Sequence, residues 1–190
     1  MKYLYSACLK CALVFLIAAA LAQTAAAQRR DHLTKEEIEL VRDVQEVDLR
    51  MSLFVNAIKR RLWSLSGVEN LTKEQAKRIE KDFDKWGEIP KGPRGNLVAD
   101  INRILNEAID KFEDVYDREP ESPLIPFAYY VIADYCTELT PSLESLASAS
   151  SDPAEIGPLK RSADDCRNIL DARDQVPRPT GKRPKSKVPR

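Results

Sequence analysis

The residues of this chain that could do chemistry are few, and Cys136 and Cys166 are the most informative of them. They lie at equal distances on either side of a turn that is predicted near Ser151. In an exported chain, an even pair of cysteines is typical of a disulfide. A redox-active pair usually has C-x-x-C spacing and a helix N-terminus that lowers a thiol pKa, and this pair has neither. The sequence therefore predicts a structural disulfide, with two free buried thiols or a redox pair as alternatives.

Acidic side chains are the most abundant groups that could bind a cation or act as a base. A stripe of acids runs along one predicted helix, opposite its apolar face, which favours a solvated surface over a cation site. The stripe consists of Glu107, Asp110, Asp114 and Asp117. Asp48 differs, because it lies beside the apolar stripe of another predicted helix. A half-buried acid of this kind pairs with a base, fixes helix register or acts as a catalytic base.

His32 is the only histidine, and it precedes the first predicted helix. We therefore expect it to be solvated in a mobile terminus, with no metal site. The chain after residue 27 contains no G-x-S-x-G, S-x-x-K, H-E-x-x-H or C-x-x-C motif. These observations predict a non-catalytic protein with no metal and no cofactor. An enzyme of unknown class stays an alternative, because a catalytic triad assembled in space leaves no local motif.

The N-terminus has the pattern of an export signal. Lys2 and Lys10 precede an apolar run over residues 12–22, and small residues follow it up to Ala27. A membrane anchor needs roughly 20 apolar residues, and this run is shorter. The sequence predicts a signal peptide over residues 1–27, cleaved after Ala27, and a periplasmic or extracellular protein.

The rest of the chain is patterned for helices. Apolar residues recur at steps of three and four along five stretches, and no stretch shows the alternation of a half-buried strand. Each stretch begins at a residue that can cap a helix: Thr34, Thr72, Asn96, Ser122 and Asp152. The sequence predicts an all-α fold, an antiparallel bundle of four to five helices over residues 28–176. Pro141 is expected to kink or restart the fourth helix.

The first predicted helix offers a surface for a partner. A single helix up to Gly67 would be about 48 Å long, so we expect a bend or an overhanging end. An apolar stripe that outruns the helices covering it can seat a partner helix. The predicted partner-binding residues are Phe54, Leu62 and Trp63, and the partner is another protein or a second copy. Arg60 and Arg61 are predicted on the outer side of this helix.

The charge of the chain is unevenly distributed. Lys and Arg number 30, as do Asp and Glu, yet residues 28–175 carry a net charge of −8 and residues 176–190 a net charge of +6. The proline-rich basic tail, residues 177–190, is predicted to be disordered. Because it has no aromatic residue, base stacking with nucleic acid is not expected. The tail is a solubilising terminus, makes weak contact with an anionic membrane or cell-wall polymer, or contacts the acidic domain of its own chain. The candidate residues are Arg178, Lys182, Arg183, Lys185, Lys187 and Arg190.

One local motif suggests a function. Residues 71–75, LTKEQ, and less closely residues 33–37, LTKEE, resemble the L-T-x-x-Q motif of small helical periplasmic stress chaperones. The resemblance implies ATP-independent binding of unfolded chains. A leucine followed by a helix capping box gives nearly the same pattern. We therefore predict an exported non-catalytic helical protein that binds a protein or a cell-envelope component, with a chaperone-like protein as an alternative.

Overall fold

The computed structural model describes residues 31–184, and these residues form helices joined by short loops, with no strand among them. The prediction of an all-α fold is confirmed for this part of the chain. The predicted signal peptide, residues 1–27, and the end of the tail, residues 185–190, lie outside it. The α-helices are α1 (Lys35–Asp43), α2 (Val47–Ser66), α3 (Lys73–Lys81), α4 (Phe83–Trp86), α5 (Arg94–Arg118), α6 (Ile125–Ala149) and α7 (Pro153–Asp171). Two short 3-10 helices cover Val68–Asn70 and Ala172–Gln175.

The two predicted capping boxes are confirmed. The Thr34 hydroxyl accepts the backbone N–H of Glu37 at 3.3 Å, and the Glu37 carboxylate accepts the N–H of Thr34 at 2.9 Å. Thr72 and Gln75 repeat this exchange at the start of α3. Each exchange satisfies two backbone donors that the first turn of a helix leaves unpaired. The residues that resemble the chaperone motif therefore serve here as helix caps.

The first predicted helix is interrupted, in agreement with the bend expected for so long a helix. Residues 44–46 are not helical and separate α1 from α2. The guanidinium of Arg50 donates two hydrogen bonds to the Val44 carbonyl, at 2.7 and 3.1 Å, and so satisfies an acceptor at the end of α1. The break lets α1 fold back against α2, where an uninterrupted helix would have projected beyond the domain. The second predicted helix is likewise divided, at Asp82, into α3 and α4.

Three further features of the helices differ from the prediction, and one is that α6 begins at Ile125 with Leu124 rather than Ser122 at its N-cap. α5 begins at Arg94, with Pro93 rather than Asn96 at its N-cap. α6 continues through Pro141, so the predicted restart is wrong. The Pro141 ring is exposed, which keeps the bulk of the ring outside the packed core. The Asp152 cap of α7 is confirmed, since its carboxylate accepts the N–H of Ala154 at 2.9 Å.

The core lies among α2, α5, α6 and α7. α2 packs against α5 and α6, and α7 packs against the same two helices. Each large apolar side chain buried there stabilises the fold by about 1.5–3 kcal/mol. The described residues include no helix that is both long and apolar enough to cross a membrane. The largest fully buried apolar side chains are Met51, Phe54, Ile58, Ile101, Ile104, Leu105, Leu139, Leu143 and Leu159.

The predicted disulfide is absent, and Cys136 and Cys166 are free thiols. The pairing of α6 with α7 brings the two thiols into hydrogen-bond contact, and both are fully buried. This hydrogen bond, together with burial, raises the pKa of the Cys136 thiol far above its ordinary value. A protonated, buried thiol packs as a small apolar group. The cysteine pair therefore contributes to the fold here by packing, in place of the predicted covalent bond.

Candidate functional site

A groove between α2, α3 and α6 contains two of the three predicted partner-binding residues. Its cavity has a volume of about 380 Å³. Leu62 and Trp63 on α2 and Leu139 on α6 supply its apolar surface. Its polar lining residues are Lys59, Glu74, Gln75, Arg78, Tyr135, Glu138 and Ser142. We call this cavity the Trp63 groove.

Helical spacing explains how the lining residues converge. On α2, Lys59 is followed at three and four residues by Leu62 and Trp63, so the three side chains share one face. On α6, Tyr135 is followed at the same intervals by Glu138 and Leu139. The turns of each helix thus bring apolar and charged groups to the same wall. The groove has both an apolar surface and charged groups of both signs.

A side-chain contact holds α3 beside α2. The Arg78 guanidinium donates to the Asn56 amide oxygen at 2.9 Å and lies 3.7 Å from the Asp82 carboxylate. Asn56, Arg78 and Trp63 also line a narrow gap of about 20 Å³ beside the groove. Because Arg78 lines both cavities, its bond with Asn56 fixes the position of the α3 wall of the Trp63 groove.

Tyr135 is the unusual residue of the groove. Its side chain is 6% exposed, and its hydroxyl is buried with no hydrogen-bond partner among the described residues. The Lys59 ammonium lies 4.8 Å from the centre of the Tyr135 ring and forms no other polar contact among these residues. Burial is the main cause that raises the pKa of the Tyr135 hydroxyl, so the group is neutral and able to donate a hydrogen bond.

The structure separates the three predicted partner-binding residues. Leu62 and Trp63 are partly buried and line the groove. Phe54 is fully buried in the core, so its assignment to a partner surface is wrong. Phe54 belongs to the row of the α2 stripe that faces the other long helices. The spacing of apolar residues identified this stripe correctly, but it did not show where along α2 the other helices stop covering the stripe.

The described part of the tail contacts the acidic domain of its own chain, which is one of the alternatives that the sequence left open. Residues 177–184 have no regular secondary structure, yet the Arg178 guanidinium lies 2.5 Å from the Asp134 carboxylate. The Arg183 guanidinium donates from Nε and Nη2 to the two carboxylate oxygens of Asp48, and the bond from Nη2 is 2.9 Å long. Lys182 is exposed. Lys185, Lys187 and Arg190 lie outside the described residues. Two of the candidate cations for an anionic surface thus bind acids of the same chain.

Asp48 is 4% exposed and is a paired acid, one of the roles expected from the sequence. The base that pairs with Asp48 lies in the tail, whereas the sequence led us to expect a base on a neighbouring helix. Glu46 lies 3.6 Å from the same Arg183 guanidinium. Each oxygen of the Asp48 carboxylate accepts one hydrogen bond from this guanidinium.

Glu37, Arg60 and Arg61 form a buried polar cluster that the sequence did not predict. All three side chains are at most 4% exposed, which corrects the outer placement of the two arginines. One oxygen of Glu37 accepts from Arg60 at 3.2 Å and from Arg61 at 2.5 Å. The capping motif explained Glu37 completely, so nothing in the local sequence pointed to its second role.

The remaining candidates form no metal site. Glu107 lies 2.6 Å from His32, so this histidine is half-buried and paired, and its prediction as a free, mobile residue is wrong. Asp110, Asp114 and Asp117 are exposed. Within residues 31–184, no group of three or more His, Cys, Asp or Glu side chains could hold a metal ion.

The comparisons with known proteins add no function. No family model, no curated protein and no solved structure matches this chain.

Proposed function

We propose that this chain is an exported, non-catalytic helical-bundle protein that binds a segment of a partner protein in the Trp63 groove. The observation that carries the proposal is the buried Tyr135 hydroxyl, which has no partner among residues 31–184. Export rests on the signal-peptide pattern of residues 1–27. The partner is accordingly a periplasmic or extracellular protein, or a protein component of the cell envelope.

The chemistry of the groove supports a peptide segment as the occupant. An apolar centre surrounded by polar residues is the usual composition of a protein-binding surface. Leu62, Trp63 and Leu139 can bury one apolar side chain of the partner. Lys59 and Glu138 can pair with partner charges of either sign. A segment that also carries an oxygen acceptor would supply what the Tyr135 hydroxyl lacks.

The energetics of the hydroxyl favour the bound state. A buried donor without a partner costs about 1–3 kcal/mol, whereas a satisfied hydrogen bond contributes about 1 kcal/mol of stability. The Tyr135 hydroxyl therefore destabilises the free protein. An acceptor on the partner removes this cost once binding has exposed the oxygen, which is closed to solvent in the free protein. The same group thus lowers stability and raises affinity, and this opposition distinguishes a binding role from a purely structural one.

Replacing Tyr135 by phenylalanine is expected to raise the free energy of unfolding by about 1 kcal/mol, because the substitution removes an unpaired polar atom and keeps the ring. Urea unfolding of the purified protein measures the change. Tyr130→Phe is the matched control, since the Tyr130 hydroxyl donates to the Val176 carbonyl at 3.0 Å and its loss should destabilise by a similar amount. A destabilised Tyr135→Phe variant would contradict the assignment.

Binding can be tested with a phage-displayed library of short random peptides, selected on the protein without its signal sequence. We expect selected peptides to bind the Tyr135→Phe variant about tenfold more weakly than the wild type. Leu62→Asp should abolish binding. Leu49→Asp should not, because Leu49 is exposed on the same helix and does not line the groove.

Three outcomes would overturn the proposal. The first is a selection that enriches no peptide. The second is peptides that bind Tyr135→Phe and Leu62→Asp as tightly as the wild type. The third is a dimer in sedimentation experiments that Leu62→Asp dissociates, which would assign the groove to a second copy of the chain. Since Leu62 also packs against the core, thermal unfolding of each variant must show that it is folded.

A further inference from the structure

A second cavity lies between α5, α6 and α7, apart from the Trp63 groove. Its volume is about 330 Å³, within the range of small-molecule sites. Most of its lining is apolar and comes from three isoleucines, an alanine and two aromatic rings. The residues that line it are Ile109, Phe112, Glu113, Tyr129, Ile132, Asp165, Asn168, Ile169 and Ala172.

The charges of this cavity have one sign. Its charged lining residues are Glu113 and Asp165, and no base is among the residues that line it. Neither carboxylate forms a hydrogen bond or an ion pair with the described part of the chain. Burial is the main cause that raises the pKa of Asp165, with Asp164 adding to it and Arg161, one turn earlier on α7, opposing it. Asp165 is thus a half-buried acid that forms no ion pair within residues 31–184.

The aromatic walls belong to a row of four rings. Phe112 lies 6.2 Å from Tyr116 and 6.1 Å from Tyr129, and Tyr129 lies 5.3 Å from Tyr130. The far end of this row already holds cations of the same chain. The guanidinium groups of Arg178 and Arg173 lie over the Tyr130 ring, 4.4 and 5.8 Å from its centre. The two middle rings, Phe112 and Tyr129, line the cavity, and no cation of the described residues lies over them.

We propose that this cavity binds a small organic cation, an ammonium or guanidinium group attached to an apolar body. The cation lies against the rings of Phe112 and Tyr129 and pairs with the Asp165 carboxylate. Aromatic faces attract such cations, and the attraction strengthens when water is excluded. The apolar body packs against the isoleucines of the three helices. Glu113, which is exposed, adds negative charge at the entrance.

The test uses three probes that share a phenyl ring and a short alkyl chain: phenethylamine, phenethyl alcohol and hydrocinnamate. Calorimetric titration at neutral pH should show binding of the amine. The alcohol should bind about tenfold more weakly, and hydrocinnamate should not bind. Methyl resonances of Ile109, Ile132 and Ile169 should shift with the amine, which locates the site.

Two variants distinguish the contribution of the Asp165 carboxylate to binding from that of the neighbouring Asp164. Asp165→Asn keeps the shape and removes the charge, and it should weaken amine binding about tenfold. Asp164→Asn, one residue away and outside the lining, should weaken binding much less than Asp165→Asn does. Equal binding of amine and alcohol, unchanged affinity in Asp165→Asn, or shifts elsewhere in the protein would overturn the proposal. Leu62→Asp should leave amine binding unchanged. Failure of this cation-binding proposal can therefore be distinguished from failure of the proposal that the Trp63 groove binds a peptide.

Discussion

Replacing Glu37 by glutamine is expected to lower the free energy of unfolding by about 3–5 kcal/mol, because it leaves two buried guanidinium groups without their shared carboxylate. Arg60 and Arg61 both donate to one oxygen of Glu37, while the other oxygen accepts the N–H of Thr34. A glutamine retains one acceptor and turns an amide donor toward groups that are themselves donors. The positive charge of the cluster then has no buried counter-charge.

The other contacts of the cluster do not compensate for this loss. Arg60 also donates to the backbone carbonyls of Trp86, Gly87 and Glu88, and these neutral acceptors cannot balance its charge. Burial is the main cause that lowers the pKa of Arg60, and Glu37 opposes that effect. The Nε of Arg61 has no partner among the described residues even in the wild type.

Urea unfolding of wild type and Glu37→Gln measures the effect, with the slope against denaturant as a check that both unfold in one transition. Glu39→Gln is the matched control. Glu39 lies on the same helix and pairs with Arg42 on the surface, so its loss should change stability by less than about 0.5 kcal/mol. A Glu37→Gln variant no less stable than this control would show that the carbonyls alone satisfy both arginines.

The cluster also links stability to the Trp63 groove. Arg60 and Arg61 immediately precede Leu62 and Trp63 on α2, and the guanidinium of Arg60 lies 5.6 Å from the Trp86 ring. Through the carbonyls after α4 and the carboxylate of α1, the two arginines fix both short helices against α2. We therefore expect partial loss of the cluster to loosen these helices before the long ones.

Local sequence patterns predicted the helices well, because the signals for them are local. Apolar spacing and the caps at Thr34, Thr72 and Asp152 act within one or two turns. The break between α1 and α2 could not be placed in this way. An apolar stripe continues through residues 44–46, and only the packing of α1 onto α2 determines that the chain bends there.

The polar contacts of the site depend on residues that are far apart in the sequence. Glu37 is 23 residues from Arg60, and Asp48 is 135 residues from Arg183. No periodic pattern relates positions at such separations. Charged residues are mostly exposed in proteins, so a sequence argument places Arg60 on the surface unless its partner is known. The unpaired hydroxyl of Tyr135 is equally invisible, since a tyrosine at core spacing gives no sign of whether its oxygen has a partner.

The cysteine pair shows where prediction from the sequence succeeds and where it stops. The equal distances of Cys136 and Cys166 from the turn predicted that paired helices would bring them together, and the two thiols are in contact. Whether a bond forms depends on side-chain geometry and on the chemistry of the surroundings. Sequence spacing therefore indicates contact between two cysteines, and bond formation is a separate question.

Replacing Arg183 by glutamine is expected to lower the free energy of unfolding by about 1–2 kcal/mol, because Asp48 is buried and loses the one base that pairs with it among residues 31–184. The side chain of Arg183 is one-third exposed, which keeps the effect below that of Glu37→Gln. Asp48 lies in the first turn of α2, where the helix dipole stabilises a negative charge and limits the loss. Since solvent reaches the pair, added salt should reduce the difference between variant and wild type.

A double-mutant cycle with Asp48→Asn isolates the pair from other effects of each substitution, and the coupling energy should be about 1 kcal/mol or more. Arg178→Gln is the control from the same tail. The Arg178–Asp134 pair is exposed on both sides, so its loss should cost less than about 0.5 kcal/mol.

Additive effects of Asp48→Asn and Arg183→Gln would mean that the tail does not hold this acid in solution. In that case Arg183 is as available to an anionic surface as the other cations of the tail. A strong coupling instead means that any such surface must compete with Asp48 for Arg183, and binding to anionic vesicles should then be tighter in the Asp48→Asn variant.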